Sequence, residues 1–141
     1  MRLPVTHRLI VMSCSAALAL LVGVPATGAA SITRAASLKI SAPASMKRGS
    51  VLALTASGYS GQYGDVSFGA VKGAAARCEG PGANAIGIQA VAKQHAFHVK
   101  FTNIFGAPGT LTLCVYLYSG GANGIGTKSR SILKTEQVKV S

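Results

Sequence analysis

Acid is what this 141-residue chain has least of, with three carboxylates in all, Asp65, Glu79 and Glu136. Hydrolases built on paired carboxylates hold two of them at a set separation across the scissile bond, and three scattered residues make a poor start. No C-x-x-C occurs, so no ready frame for a structural metal exists. His95 and His98 form an H-x-x-H, but on a strand residues three apart point to opposite faces. A serine nucleophile on a G-x-S-x-G turn is also missing, and none of Asn84, Asn103 or Asn123 begins an N-x-S/T sequon. Beyond residue 30 there is hardly a helical period. These absences argue against an enzyme, a metal site and a cofactor, and none of the three is expected.

One apolar run is present, near the start. Arg2, His7 and Arg8 form a basic head, followed by about 16 apolar residues from Leu9, then Pro25 and the small residues Gly28, Ala29 and Ala30. The run is shorter than the roughly 20 residues a spanning helix needs. Residues 1–30 therefore read as a signal peptide cleaved near Ala30. Cys14 lies in the middle of the run, which argues against lipidation, and it leaves with the peptide. Residues 31–36 read as a short flexible linker and residues 37–141 as one domain, with no transmembrane segment in the mature chain. The expected location is extracellular or at the cell envelope.

Two cysteines then remain, Cys78 and Cys114. In an oxidising space an even pair in a small domain reads as a disulfide. The stretch GTLTLCVYLYSG, residues 109–120, alternates cleanly and places Leu111, Leu113, Val115 and Leu117 on one face. Cys114 falls on the other face with Thr112, Tyr116 and Tyr118. That placement predicts a staple from the strand's outer face to the loop KGAAARCEGPGAN, rather than a bolt through the core.

The body reads as short strands separated by Gly, Pro and Asn. Candidates are residues 37–41, 50–58, 65–71, 85–92, 95–103 and 109–120, with a last strand in SRSILKTEQVKVS. Within them Leu52, Leu54 and Ala56 share a face, as do Phe97, Val99 and Phe101, while Ile86, Ile88 and Ala90 are read as one side of theirs. APASMKRG reads as a turn. The pattern predicts an all-β, antiparallel sandwich of about seven strands. Residues 42–58, APASMKRGSVLALTASG, and 109–117, GTLTLCVYL, resemble the first-to-second and sixth strands of immunoglobulin-like domains of secreted bacterial proteins, of an actinobacterial type. The resemblance implies architecture and supplies no catalytic residue. The chain departs from it in having no tryptophan for the core and in placing Cys78 after the third strand instead of on the second.

Charge is the functional clue. From residue 31 onward twelve cations face three carboxylates, a net charge of +9. Such a surface attracts polyanions, and the attraction fades with salt. The close pairs Lys47–Arg48 and Lys128-x-Arg130 are the candidate contacts. An anionic cell-envelope polymer is the expected partner, and nucleic acid is not, because basic patches interleaved with aromatics are missing. The alternative is a small inhibitor or effector presenting a loop to an extracellular protein. GGANGIG, with Gly120, Gly121, Ala122, Asn123 and Gly124, or YSGQYGD would be its contact element. GGANGIG lacks the Gly-Lys-Ser/Thr ending of a phosphate-cradling loop.

Overall fold

Alternating apolar residues make the strands, and the computed structural model, which describes residues 33–120 and 130–141, sorts them into two sheets. The strands are β1 (Ser37–Ser41), β2 (Ser45–Met46), β3 (Val51–Tyr59), β4 (Asp65–Lys72), β5 (Ala85–Ala90), β6 (Ala96–Ile104), β7 (Gly109–Tyr118) and β8 (Ser131–Val140). One sheet runs β1-β3-β6 and the other β2-β8-β7-β4-β5. All pairings are antiparallel except β2 with β8. This is the strand order of an immunoglobulin-like sandwich, and the described residues hold no α-helix. The signal peptide read over residues 1–30, with Cys14, lies outside the described residues.

The eighth strand is the difference from the expected seven. APASMKRG is not only a turn. Ser45 and Met46 run parallel to Lys139 and Val140, and Met46 packs against the core. Two residues flanked by Pro43 and Gly49 are too few to show a period, so the strand has no signature in sequence.

The core lies between the sheets. Leu52, Leu54 and Ala56 of β3 meet Val66 and Phe68 of β4 and Leu113, Val115 and Leu117 of β7, all at most 1% exposed. Phe68 and Phe101 cross from sheet to sheet with ring centroids 5.6 Å apart and planes tilted by 38°. Phe68 sits on the strand where immunoglobulin domains carry their core tryptophan. A Phe pair thus fills the space a single Trp would take. Gly87 of β5 makes room for it, since a Cβ there would stand 3.0 Å from the Phe101 ring.

β5 departs from simple alternation. The register shifts between Phe68 and Gly69, so two residues of β5 oppose one of β4. The bulge re-aims the strand, and the strand ends at Ala90 rather than Ala92. Ile86 and Ile88 are 40% and 48% exposed.

The sheet edges are unequally protected. β1 is five residues long with Lys39 exposed, and β6 turns His98 and Lys100 outward. Beyond its two-residue pairing with β2, β8 is open. There Lys134 and Glu136 are in register with the core residues Val115 and Leu113, so they lie on the inward side. Edge lysines, short strands and inward charges each discourage a further strand. β5 carries the bulge but no charge, and residues 80–92 contain no ionisable side chain.

Candidate functional site

The cysteine pair is the most elaborated feature. Cys78 and Cys114 are joined, with Cα atoms 5.8 Å apart and a separation of 36 positions in sequence. As the alternation of residues 109–120 predicts, Cys114 lies on the outer face of the five-stranded sheet. Its registered neighbours are Gly69 on β4 and Thr135 on β8. That face is not open to water. Residues 73–84 fold back over it, burying Cys78, Gly80 and Pro81 and covering Cys114, Tyr116 and Tyr118. This explains why Ser67 and Gly69, outward by alternation, are also buried.

Hydrogen bonds pin the loop's first part. Gly73 donates to Thr110 O at 2.8 Å, Thr112 Oγ1 donates to Gly73 O at 2.6 Å, and Gln137 Nε2 donates to Ala74 O at 2.7 Å. Its far end needs Gly69, where a Cβ would stand 2.8 Å from the carbonyl oxygen of Asn84. Between the loop and β8 lies a shallow groove of about 380 Å³ lined by Ala75, Arg77, Thr135 and Gln137 among others. The Tyr116 hydroxyl is buried beneath the loop without a well-formed partner. Burial pushes its ionisation above the ordinary tyrosine value, the Gly80 backbone pulls weakly the other way, and Glu79 adds to the rise. Tyr118 is raised by burial and then by Asp65.

The carboxylates do other work or stand apart. Asp65 opens β4, and its Oδ2 accepts the backbone N–H of Gly120 at 3.0 Å. Glu79 is on the covering loop and Glu136 on β8. His95 Nδ1 lies 2.7 Å from Lys93 O, while His98 points outward from β6. Among the described residues no three His, Cys, Asp or Glu side chains converge as a metal site.

Carboxylates are confined to one sheet and its loop, while lysines lie on both. β1, β3 and β6 contain Lys39, His98 and Lys100 and no carboxylate. The register lays out their outer face in rungs: Ser41, Thr55 and Lys100, then Lys39, Ser57 and His98, then Ser37, Tyr59 and Ala96. The guanidinium of Arg34 lies 4.9 Å from the centre of the Tyr59 ring, and the Tyr59 hydroxyl donates to Gln94 O at 2.9 Å. Cations therefore stand on a floor of small Ser, Thr and Ala side chains. All three carboxylates belong to the other sheet or its loop.

The sequence-named contacts do not meet. Lys47 and Arg48 occupy the β2–β3 turn, tied to the end of β8 by Arg48 N–H donating to Ser141 O at 2.7 Å. Arg130 precedes the first residue of that ten-residue strand, roughly 30 Å away at 3.3 Å per residue. They form two sites at opposite ends. Lys128, Gly121, Ala122, Asn123 and Gly124 lie outside the described residues, and Gly120 is held by Asp65. Lys39 and Lys100 escaped notice because they are 61 positions apart in sequence. The outward alternation of β6 was a visible signal, but only strand pairing brings the two lysines together.

Fold and surface together define an immunoglobulin-like sandwich with a tethered covering loop and one cationic face. The chain matches no protein-family model and no curated protein in sequence. Among solved structures it is similar to the sulfur carrier protein SoxY from Chlorobium limicola f thiosulfatophilum. The TM-score is 0.51 at 16% identity, over 74% of this chain and 78% of that one. A CARDB domain from Pyrococcus furiosus, solved with di-metal ions, gives 0.48 at 8% identity over 76% and 88%. The PKD domain of an M14-like peptidase from Thermoplasmatales archaeon SCGC AB-540-F20 gives 0.42 at 10% identity over 73% and 91%. The SoxY likeness is one of fold alone. No described helix is long and apolar enough to cross a membrane.

Proposed function

We propose that the chain is a non-enzymatic, exported binding module that holds an anionic polymer of the cell envelope on the outer face of β1-β3-β6. Residues 1–30 act as the signal peptide, residues 31–36 as a linker and residues 37–141 as the binding domain. The observation that carries the reading is the absence of acid: Lys39, His98 and Lys100 share one face that has no carboxylate. Small side chains between the cations let a polymer chain lie close to the backbone. A disulfide between buried cysteines supports an oxidising compartment.

The test is retention on poly(glycerol phosphate) across a salt series. K39E/K100E is expected to abolish retention at low salt, while R130E on the other sheet reduces it only slightly. Equal loss from both would mean that net charge alone drives the interaction. No retention of the wild-type chain at low salt would remove the reading altogether.

A further inference from the structure

The two most exposed large aliphatic side chains among the described residues are Val51 at 60% and Ile104 at 58%. They are not scattered. Val51 begins β3, Ile104 ends β6, and the register places them directly opposite each other on the outer face of the sheet. With Thr102 and Asn103 they line a shallow groove of about 300 Å³. Isolated surface aliphatics need no explanation, but a cross-strand pair at the tip of a sandwich is a continuous apolar surface.

The same tip is basic. Lys47 and Arg48 lie in the turn leading into Val51, and that turn is fixed in place. Ser50 N–H and Oγ both donate to Lys47 O, at 3.1 and 2.6 Å, and Gly49 N–H donates to Phe105 O at 3.0 Å, beside Ile104. Lys72 ends β4 and Lys139 stands one residue from the end of β8, at the same end of the sandwich. The neighbouring turn, Gly106, Ala107 and Pro108, is exposed and uncharged. No side-chain carboxylate is near: Asp65 opens β4 at the opposite end, Glu79 is on the covering loop, and Glu136 is in register with Leu113, well inside the sheet.

Apolar side chains beside rigidly placed cations match the layering of an anionic bilayer surface, where headgroup charge lies over acyl chains. A soluble polymer would use the cations and leave the aliphatic pair in water. We infer that this tip docks on anionic lipid, with Val51 and Ile104 entering the headgroup–acyl boundary and Lys47 and Arg48 meeting the headgroups. The aliphatic pair lies two rungs beyond Lys100 at the end of the same sheet face, and the inference does not rest on polymer binding there.

The chain has no tryptophan, so a single introduced one reports its own surroundings, whatever residues 1–30 do to the rest of the chain. The probe is the full chain carrying T102W, beside the aliphatic pair, mixed with vesicles of equimolar phosphatidylcholine and phosphatidylglycerol. A blue shift and quenching by brominated acyl chains are expected, and A90W on the other sheet is expected to show neither. V51S/I104S in the T102W background should weaken partitioning roughly tenfold or more. K47Q/R48Q should weaken it by about fivefold per cation. K39E, on β1 and two rungs from Thr102, should leave the T102W shift in place, which separates this site from the polymer-binding face. A solvent-like T102W spectrum on vesicle-bound protein would overturn the inference. So would an equal shift on pure phosphatidylcholine.

Discussion

Breaking the Cys78–Cys114 bond should free a loop before it endangers the sandwich. The cross-link closes a segment of 36 residues, and chain entropy alone assigns such a closure roughly 3–4 kcal/mol of stability against the unfolded state. None of the large core side chains depends on it. Leu54, Phe68, Leu113 and Val115 lie on the other side of the sheet from the sulfurs. Without the tether, the covering loop keeps the hydrogen bonds of Gly73, Ala74 and Thr112 at its first turn, but residues 78–83 keep mainly surface contact with Tyr116 and Tyr118. In C78S/C114S, hydrogen exchange followed by mass spectrometry should show amides of residues 76–84 losing most of their protection. Amides of β3 and β7 should remain slow, changed only by the fall in global stability. Urea unfolding should stay cooperative, with stability lower by about 3 kcal/mol. Equal acceleration of loop and strand amides would refute the reasoning, because the loop would then be integral to the sandwich. So would loss of cooperative unfolding.

Four further outcomes follow from the same geometry. G69A forces a Cβ against the Asn84 carbonyl, so it should cost about 1–3 kcal/mol in urea unfolding and deprotect residues 80–84 in exchange without disturbing β3. Y116F removes a buried hydroxyl that has no well-formed partner, so thermal unfolding at neutral pH should show unchanged or slightly higher stability. The ionisations of Tyr116 and Tyr118 are raised in the fold, so their neutral forms contribute stability that is fully present below the ordinary value of 10.0 and lost as pH rises toward the folded values. Stability should therefore fall above about pH 10, and Y116F should flatten that decline when urea midpoints are measured across it. F68A should be the most damaging of these changes, costing about 3–5 kcal/mol by denaturant titration, because it removes one half of the aromatic pair that spans the sheets.

Strand positions were legible where one face is buried and the other wet. Phe97, Val99 and Phe101 announce β6, and Leu52, Leu54 and Ala56 announce β3, because period-two alternation is the trace of a single solvent boundary. Alternation also put Cys114 on the outer face of its strand, where the structure has it. It failed where a second layer covers that outer face: Ser67 and Gly69, which alternate with Val66 and Phe68, are buried beneath residues 73–84. It failed as well at β2, whose two residues are held by β8 and not by any pattern of their own. Ile86 and Ile88 read as one side of a regular strand until the bulge shifts the register between them and β4. The charged face was hidden for a different reason. Lys39 and Lys100 come onto one face only through the rungs of β1, β3 and β6, so local spacing favoured Lys47–Arg48 and Lys128-x-Arg130 instead.

The uncharged edge at β5 has a consequence for how the chain behaves as a colloid. A net charge of +9 on about 110 residues keeps copies apart in dilute buffer, whatever their edges look like. Salt removes that repulsion over distances beyond about a nanometre, yet it does nothing to the open backbone groups beside Ile86 and Ile88, which only the bulge turns aside. The protein therefore owes its solubility there to long-range repulsion more than to local design. Concentrated stocks in high salt, the condition that strips it from acidic contaminants, are where light scattering should first rise, and a single lysine at Ile88 should suppress it.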